Sequence, residues 1–145
     1  MTTTSQQTPS PTTTPAPQVW PAFRCRDARA EIRFLVDVFG FEETAVYGEG
    51  EQVAHAQLDW PEGGGVMLGS VRNDPADTWP AQPGTAAVYV VTADPAAVHA
   101  RAVAAGAEIV RELSTTDQGS SEFSVRDPEG NLWSFGSYPG EPRRS

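Results

Sequence analysis

Two short runs in this chain, Gln52 to Asp59 and Ser121 to Arg126, carry the side chains best suited to chemistry. Both alternate polar with apolar residues, as a strand does when one face is packed and the other open. In the first run Ala54, Ala56 and Leu58 form the packed set, so His55 and Gln57 point the opposite way. In the second run Phe123 and Val125 pack, leaving Glu122 and Ser124 on the open face. An imidazole or a carboxylate on such a face can act as a general base, and the two together offer an improvised pair of metal ligands. Each also has an ordinary use. His55 serves equally well as a polar residue satisfied by a neighbouring strand or water, and Glu122 as a sheet carboxylate paired with an arginine. His99, in a helical stretch, reads as a solvated surface residue, and the lone Cys25 as a small core hydrophobe. Nucleotide and acyl-transfer motifs are missing: Gly63 to Gly65 lie between strands rather than between a strand and a helix, and no G-x-S-x-G occurs.

The matching of His55 with Glu122, and of Gln57 with Ser124, follows from an internal repeat of 67 residues. Pro-Glu-Gly, five residues and Gly-Ser begin at Pro61 and again at Pro128, and Asp27 and Asp94 precede helical patterns at the same spacing. Those patterns end at Gly40 and Gly106, displaced by one residue, and agreement among three anchors marks a duplication. In each copy a strand (Val19 to Cys25; Ala87 to Val91) leads into an Asp-capped helix. Ile32, Leu35, Val36 and Phe39 recur at helical spacing in the first, and Pro95 takes the opening position of the second. Glycine then supplies the left-handed terminus. Three strands follow: Glu42 to Tyr47, Gln52 to Asp59 and Val66 to Gly69 in the first copy, and Glu108 to Leu113, Ser121 to Arg126 and Leu132 to Ser137 in the second. Arg72 to Gly84, rich in Pro and Asp, links them. The order βαβββ, twice, predicts an α+β fold with helices on one side of mostly antiparallel strands. Alternation puts Trp20, Ala22 and Arg24 on the open face, with Tyr89 as the partner of Ala22. On the last strand Trp133 and Phe135 take the helix side, and Leu132 and Ser134 the open side.

Strand, Asp-capped helix, Phe39-Gly40-Phe41 and a closing run D-P-E-G-N-L-W-S-F-G from Asp127 together resemble the vicinal oxygen chelate superfamily, which holds glyoxalases, bleomycin resistance proteins and extradiol dioxygenases. The resemblance spans Val19 to Tyr138. It implies that the two modules curl into a cup holding a ligand on its concave face, and that a second subunit completes the clefts of a homodimer. Unpaired strand edges and apolar surface point the same way. Metal-dependent members place His or Gln at the start of each module's first strand and Glu on each final strand. The corresponding positions here are Trp20, Ala87 (or Val88), Met67 and Ser134, none a normal ligand for a divalent cation. No metal and no cofactor are therefore expected.

The chain's 145 residues suit one domain. Residues 1–17, nearly all Thr, Pro, Ser and Gln, read as a disordered tail. Residues 18–139 read as the domain, with modules at about 18–70 and 85–138, and residues 140–145 as a second tail. A net charge of −9 argues against nucleic acid. No run is apolar enough to span a bilayer, and a single cysteine with no leader points to the cytoplasm. The reading that follows is a metal-free protein that binds, and sequesters, a small molecule such as an antibiotic or toxic metabolite. Its expected lining is Trp20, Arg24, His55, Gln57, Met67, Tyr89, Glu122, Ser124 and Ser134. Trp20 and Tyr89 favour an aromatic or amphipathic ligand, Glu122 a cationic one, and Arg24 opposes that charge preference by neutralising Glu122 or holding an anion. The alternatives are a lyase, isomerase or dioxygenase-like enzyme using His55 or Glu122, with or without an atypical metal, and an accessory domain without a ligand.

Overall fold

The computed structural model describes residues 16–144, so nearly all of the expected N-terminal tail lies outside the described residues. Within them the chain runs β1 (Ala22–Cys25), α1 (Ala28–Phe34) continued by a π-helical turn (Leu35–Phe39), β2 (Glu42–Glu49), β3 (Gln52–Asp59) and β4 (Gly65–Ser70). The second module repeats this as β5 (Ala87–Val91), α2 (Pro95–Ala104), β6 (Glu108–Thr115), β7 (Ser121–Arg126) and β8 (Leu132–Gly136). Each module forms its own four-stranded sheet, in the orders β1-β4-β3-β2 and β5-β8-β7-β6. The outer pairs β1/β4 and β5/β8 are parallel and the remainder antiparallel.

Local chemistry sets the helix ends. The Asp27 carboxylate accepts the Ala30 amide and the Asp94 carboxylate the Ala97 amide, each at 3.1 Å, which satisfies donors a helix start leaves orphaned. Gly40 (φ 94°) and Gly106 (φ 73°) end the helical stretches in the left-handed region that a side chain disfavours. Val36, expected on the packed face, is only half-buried, while Glu31 and Val38 lie fully inside.

Two features differ from the strand expectations. Strand β1 starts at Ala22, because Pro21 has no amide to pair; only its carbonyl joins the ladder, accepting the Met67 amide at 2.9 Å. Trp20 therefore precedes the strand. On β3 the partners of Tyr47 and Gly48 jump from His55 to Val53, so Ala54 is the extra residue of a bulge. The bulge reverses the alternation. Val53 is buried and Ala54 is exposed, contrary to the expectation that Ala54 packs on the helix.

One aromatic core joins the modules. Trp133 and Phe135, both fully buried on β8, meet Phe39 of the first module at ring separations of 5.5 and 4.7 Å. Phe23 and Phe41 also pack edge-on against Trp133, at 5.8 and 5.6 Å. Each such pair adds about 0.5–1.5 kcal/mol beyond the area it buries. Trp133 is thus a core residue, as its alternation predicts, and its indole N–H donates to Asp127 at 2.8 Å.

Candidate ligand-binding faces

The sheet faces opposite the helices carry the expected site residues, and the structure divides them into two groups. The first sheet holds Arg24, His55, Gln57 and Met67, with Trp20 just ahead of its first strand, whereas the second holds Tyr89, Glu122, Ser124 and Ser134. His55 and Glu122 occupy equivalent places in the repeat and line different concavities of the chain.

On the first face, Ala22, Met67, Gln57 and Ala45 make one cross-strand row. Gln57 is turned aside to donate to Asp59 at 3.1 Å, and the Trp20 indole lies over Gly65 with its N–H on the Pro17 carbonyl. His55 stacks on Tyr47, with ring centres 6.3 Å apart and planes 14° from parallel. Arg24 does not meet Glu122. Both of its terminal nitrogens donate to Asp77 of the inter-module linker, at 2.9 and 3.2 Å. The hydrogen bonds raise the Arg24 pKa and lower that of Asp77, which the Trp79 amide lowers further. Arg24, His55, Met67, Arg72 and Trp79 surround a cavity of about 210 Å³.

On the second face, Tyr89, Ser134, Ser124 and Arg111 form the corresponding row. The Tyr89 ring lies against Gly136, where a Cβ would come within 3.0 Å of it, and its hydroxyl donates to the Tyr138 carbonyl at 2.7 Å. Tyr89 remains 43% exposed. Burial of its hydroxyl, then the charge of Glu122, push its pKa up. The Ser124 and Ser134 hydroxyls bond each other at 2.7 Å. With Val110 and Leu132 these residues bound a concavity of about 340 Å³. Beside it Glu122, Gln118, Tyr138 and Glu141 line another of about 380 Å³.

Sequence reasoning missed three features. The first is a crevice of about 380 Å³ between β5 and the residues that precede β1, walled by Phe41, Trp60, Val66 and Val90. The Trp60 indole N–H spans it to the Val91 carbonyl at 3.0 Å. The second is the tie of the linker to the first face through Asp77. The third is a buried acid, Glu31, neither of whose carboxyl oxygens has a hydrogen-bond partner among the described residues. Burial above all, then its approach to Asp127 and the charge of Glu129, push Glu31 up to about 10. The repeated Pro-Glu-Gly could have announced a paired structural role for its glutamates; nothing in the local sequence announced the linker.

The chemistry of the donor set does not fit a resident divalent metal. An indole (Trp20), a thioether (Met67), the aliphatic Ala87 or Val88, and a hydroxyl already engaged (Ser134) stand where metal-dependent relatives of this fold place ligands. Among the described residues, no three His, Cys, Asp or Glu side chains are grouped so as to hold an ion. No helix of the described residues is long and apolar enough to cross a membrane.

The family model for the glyoxalase/bleomycin resistance protein/dioxygenase superfamily matches residues 18–135. Among solved structures, TioX from Micromonospora sp. ML1 is 34% identical over 81% of this chain and 94% of its own, with a TM-score of 0.65. An integron cassette protein from the V. Cholerae mobile metagenome is 18% identical over 87% of this chain and 99% of its own, with a TM-score of 0.63. TnmS3, an antibiotic binding protein from Streptomyces sp. CB03234, is 22% identical over 79% of this chain and 88% of its own, with a TM-score of 0.59. The last two likenesses speak to fold alone. No curated protein matches the chain by sequence.

Proposed function

The chain belongs to the glyoxalase/bleomycin resistance protein/dioxygenase superfamily, and from that premise we propose that it binds a small aromatic or amphipathic molecule on its sheet faces and sequesters it. One observation carries the reading: the concavity of about 340 Å³ on the second face, where the Tyr89 ring, Val110 and Leu132 surround the hydroxyls of Ser124 and Ser134. Apolar walls with a few placed polar groups are what capture of a small molecule requires. Glu122 and Glu141 at the far end of that face favour a cationic substituent there, and Arg111 inside the concavity opposes one. An antibiotic is a fitting ligand class, since TnmS3, a neighbour in fold, is described as an antibiotic binding protein. The alternative, a lyase, isomerase or dioxygenase-like enzyme, would use His55, stacked on Tyr47 at the first face, or Glu122 at the second.

The same reading has the chain act as a homodimer in the cytoplasm. The exposed Val19, Tyr47 and Val91 are apolar surface that a partner would cover, and the buried free thiol of Cys25 suits a reducing compartment. Calorimetric titration with 2-naphthalenemethanol, a neutral ring with one hydroxyl, tests the binding function on the wild type and on Tyr89→Ala.

A further inference from the structure

Arg24 and Asp77 meet through two hydrogen bonds, one from each terminal guanidinium nitrogen to each carboxylate oxygen, the pairing by which a guanidinium recognises a carboxylate. Their side chains are 16% and 15% exposed, respectively. Arg24, Arg72 and His55 line the cavity beside them, and the acid at its rim is Asp77 itself, held by Arg24. Displacing Asp77 leaves two guanidinium groups facing the cavity in a chain of net charge −9. Trp79 adds a flat surface, 55% exposed, at the same rim. The linker rests lightly. From Arg72 to Gly84 the Arg24–Asp77 pair is its one hydrogen-bonded tie to a strand among the described residues, the other bonds staying within residues 72–85.

We propose that the first face binds an aromatic carboxylate at Arg24 and Arg72, and that Asp77 holds this place as an internal competitor until the ligand displaces it. The ligand's carboxylate takes both Arg24 hydrogen bonds, its ring lies against Trp79 and Met67, and the Asp77 side chain swings clear of Arg24 while the linker keeps Arg72 and Trp79 at the cavity. His55 and Glu122, equivalent in the repeat, then mark a duplication whose two faces no longer carry the same side chains. This assignment rests on the binding function proposed above and gives it a ligand class at one face.

The test is calorimetric titration of 2-naphthoate, with 2-naphthalenemethanol as its neutral analogue, into wild type, Asp77→Asn, Arg24→Gln and Arg24→Lys. Removing the competitor in Asp77→Asn tightens naphthoate by about tenfold or more. Arg24→Gln weakens it by at least about tenfold, and Arg24→Lys, which keeps charge but not the fork, falls between. The neutral analogue changes by less than about threefold throughout. In wild type, naphthoate also speeds hydrogen exchange of the Trp79 amide, whose acceptor at 3.3 Å is Asp77. Binding of the neutral analogue with naphthoate indifferent to Asp77→Asn and Arg24→Gln, or an unchanged Trp79 amide at saturating naphthoate, overturns the inference alone. If neither compound binds any variant, the binding function falls with it.

Discussion

Glu62 and Glu129, the central residues of the two Pro-Glu-Gly copies, each reach into the opposite module and hold the entrance of its helix. Glu129 accepts the amides of Arg26 and Asp27, both at 2.8 Å. Glu62 accepts the Ala93 amide at 2.8 Å and the Thr92 hydroxyl at 2.7 Å. The exchange is reciprocal, and it accounts for the motif occurring twice at the repeat spacing. Charge at a helix entrance is favourable as well as hydrogen-bonded.

The two latches differ in burial, and that sets the prediction. The Glu129 side chain is 5% exposed, whereas Glu62 is exposed. Hydrogen bonds to a charged group contribute about 1.5–3 kcal/mol when buried and less in water. Glu129→Ala is therefore expected to cost about 2 kcal/mol and Glu62→Ala about 1 kcal/mol or less. Urea unfolding reads this as lowered midpoints with an unchanged slope. Equal costs for the two variants would contradict the account.

Glu31 makes stability depend on pH. Its acid is raised from 4.5 to about 10 in the folded chain, so the folded state holds the proton more tightly than the unfolded one. That stability is fully present below pH 4.5 and is lost as pH rises toward 10. By pH 7 the loss is about 3 kcal/mol, at about 1.4 kcal/mol per unit. Glu31→Gln keeps the shape and cannot ionise. Its urea midpoint should exceed that of the wild type by a margin that widens from pH 5 to pH 8.5. Parallel midpoints over that range would show that Glu31 is ionised in the fold.

How much of this was legible in the sequence depended on how local the cause was. Asp27, Asp94, Gly40 and Gly106 act within a few residues of themselves, and their roles read directly. So did Trp133 and Phe135, whose side follows from strand alternation. The bulge at Ala54 arises from how β2 pairs with β3, which no window on β3 contains. Arg24 and Asp77 are 53 residues apart, and the linker's path across the first face is a tertiary fact. The same holds for the separation of His55 from Glu122. The repeat equates them correctly but is silent on whether equivalent residues share a cavity. Glu31 lay hidden for another reason, since an acid in a helical stretch is ordinarily solvated.

Gly136 is where it is because the Tyr89 ring occupies the space of its side chain. Gly136→Ala should push that ring away and break the Tyr89–Tyr138 hydrogen bond, costing about 1–3 kcal/mol as overpacking does. Binding at the second face should weaken while the first face is untouched. A variant as stable as wild type, with unchanged binding, would mean the ring is free to move.

Assembly is checked by light scattering at micromolar concentration, where a mass near twice 15.5 kDa is expected. The closed two-fold dimer is the commonest arrangement for such chains. A mass near 15.5 kDa would count against a second subunit completing either face.

The binding function itself rests on Tyr89 and the hydroxyl pair behind it. Calorimetric titration of 2-naphthalenemethanol and 2-naphthylmethylammonium into wild type and Tyr89→Ala measures it most directly. Saturable binding of both compounds to wild type is expected. Loss of the Tyr89 ring should weaken both by about tenfold or more, about 1.4 kcal/mol, as stacking and apolar contact are removed together. No saturable binding of either compound to wild type, or equal binding to Tyr89→Ala, would contradict the account.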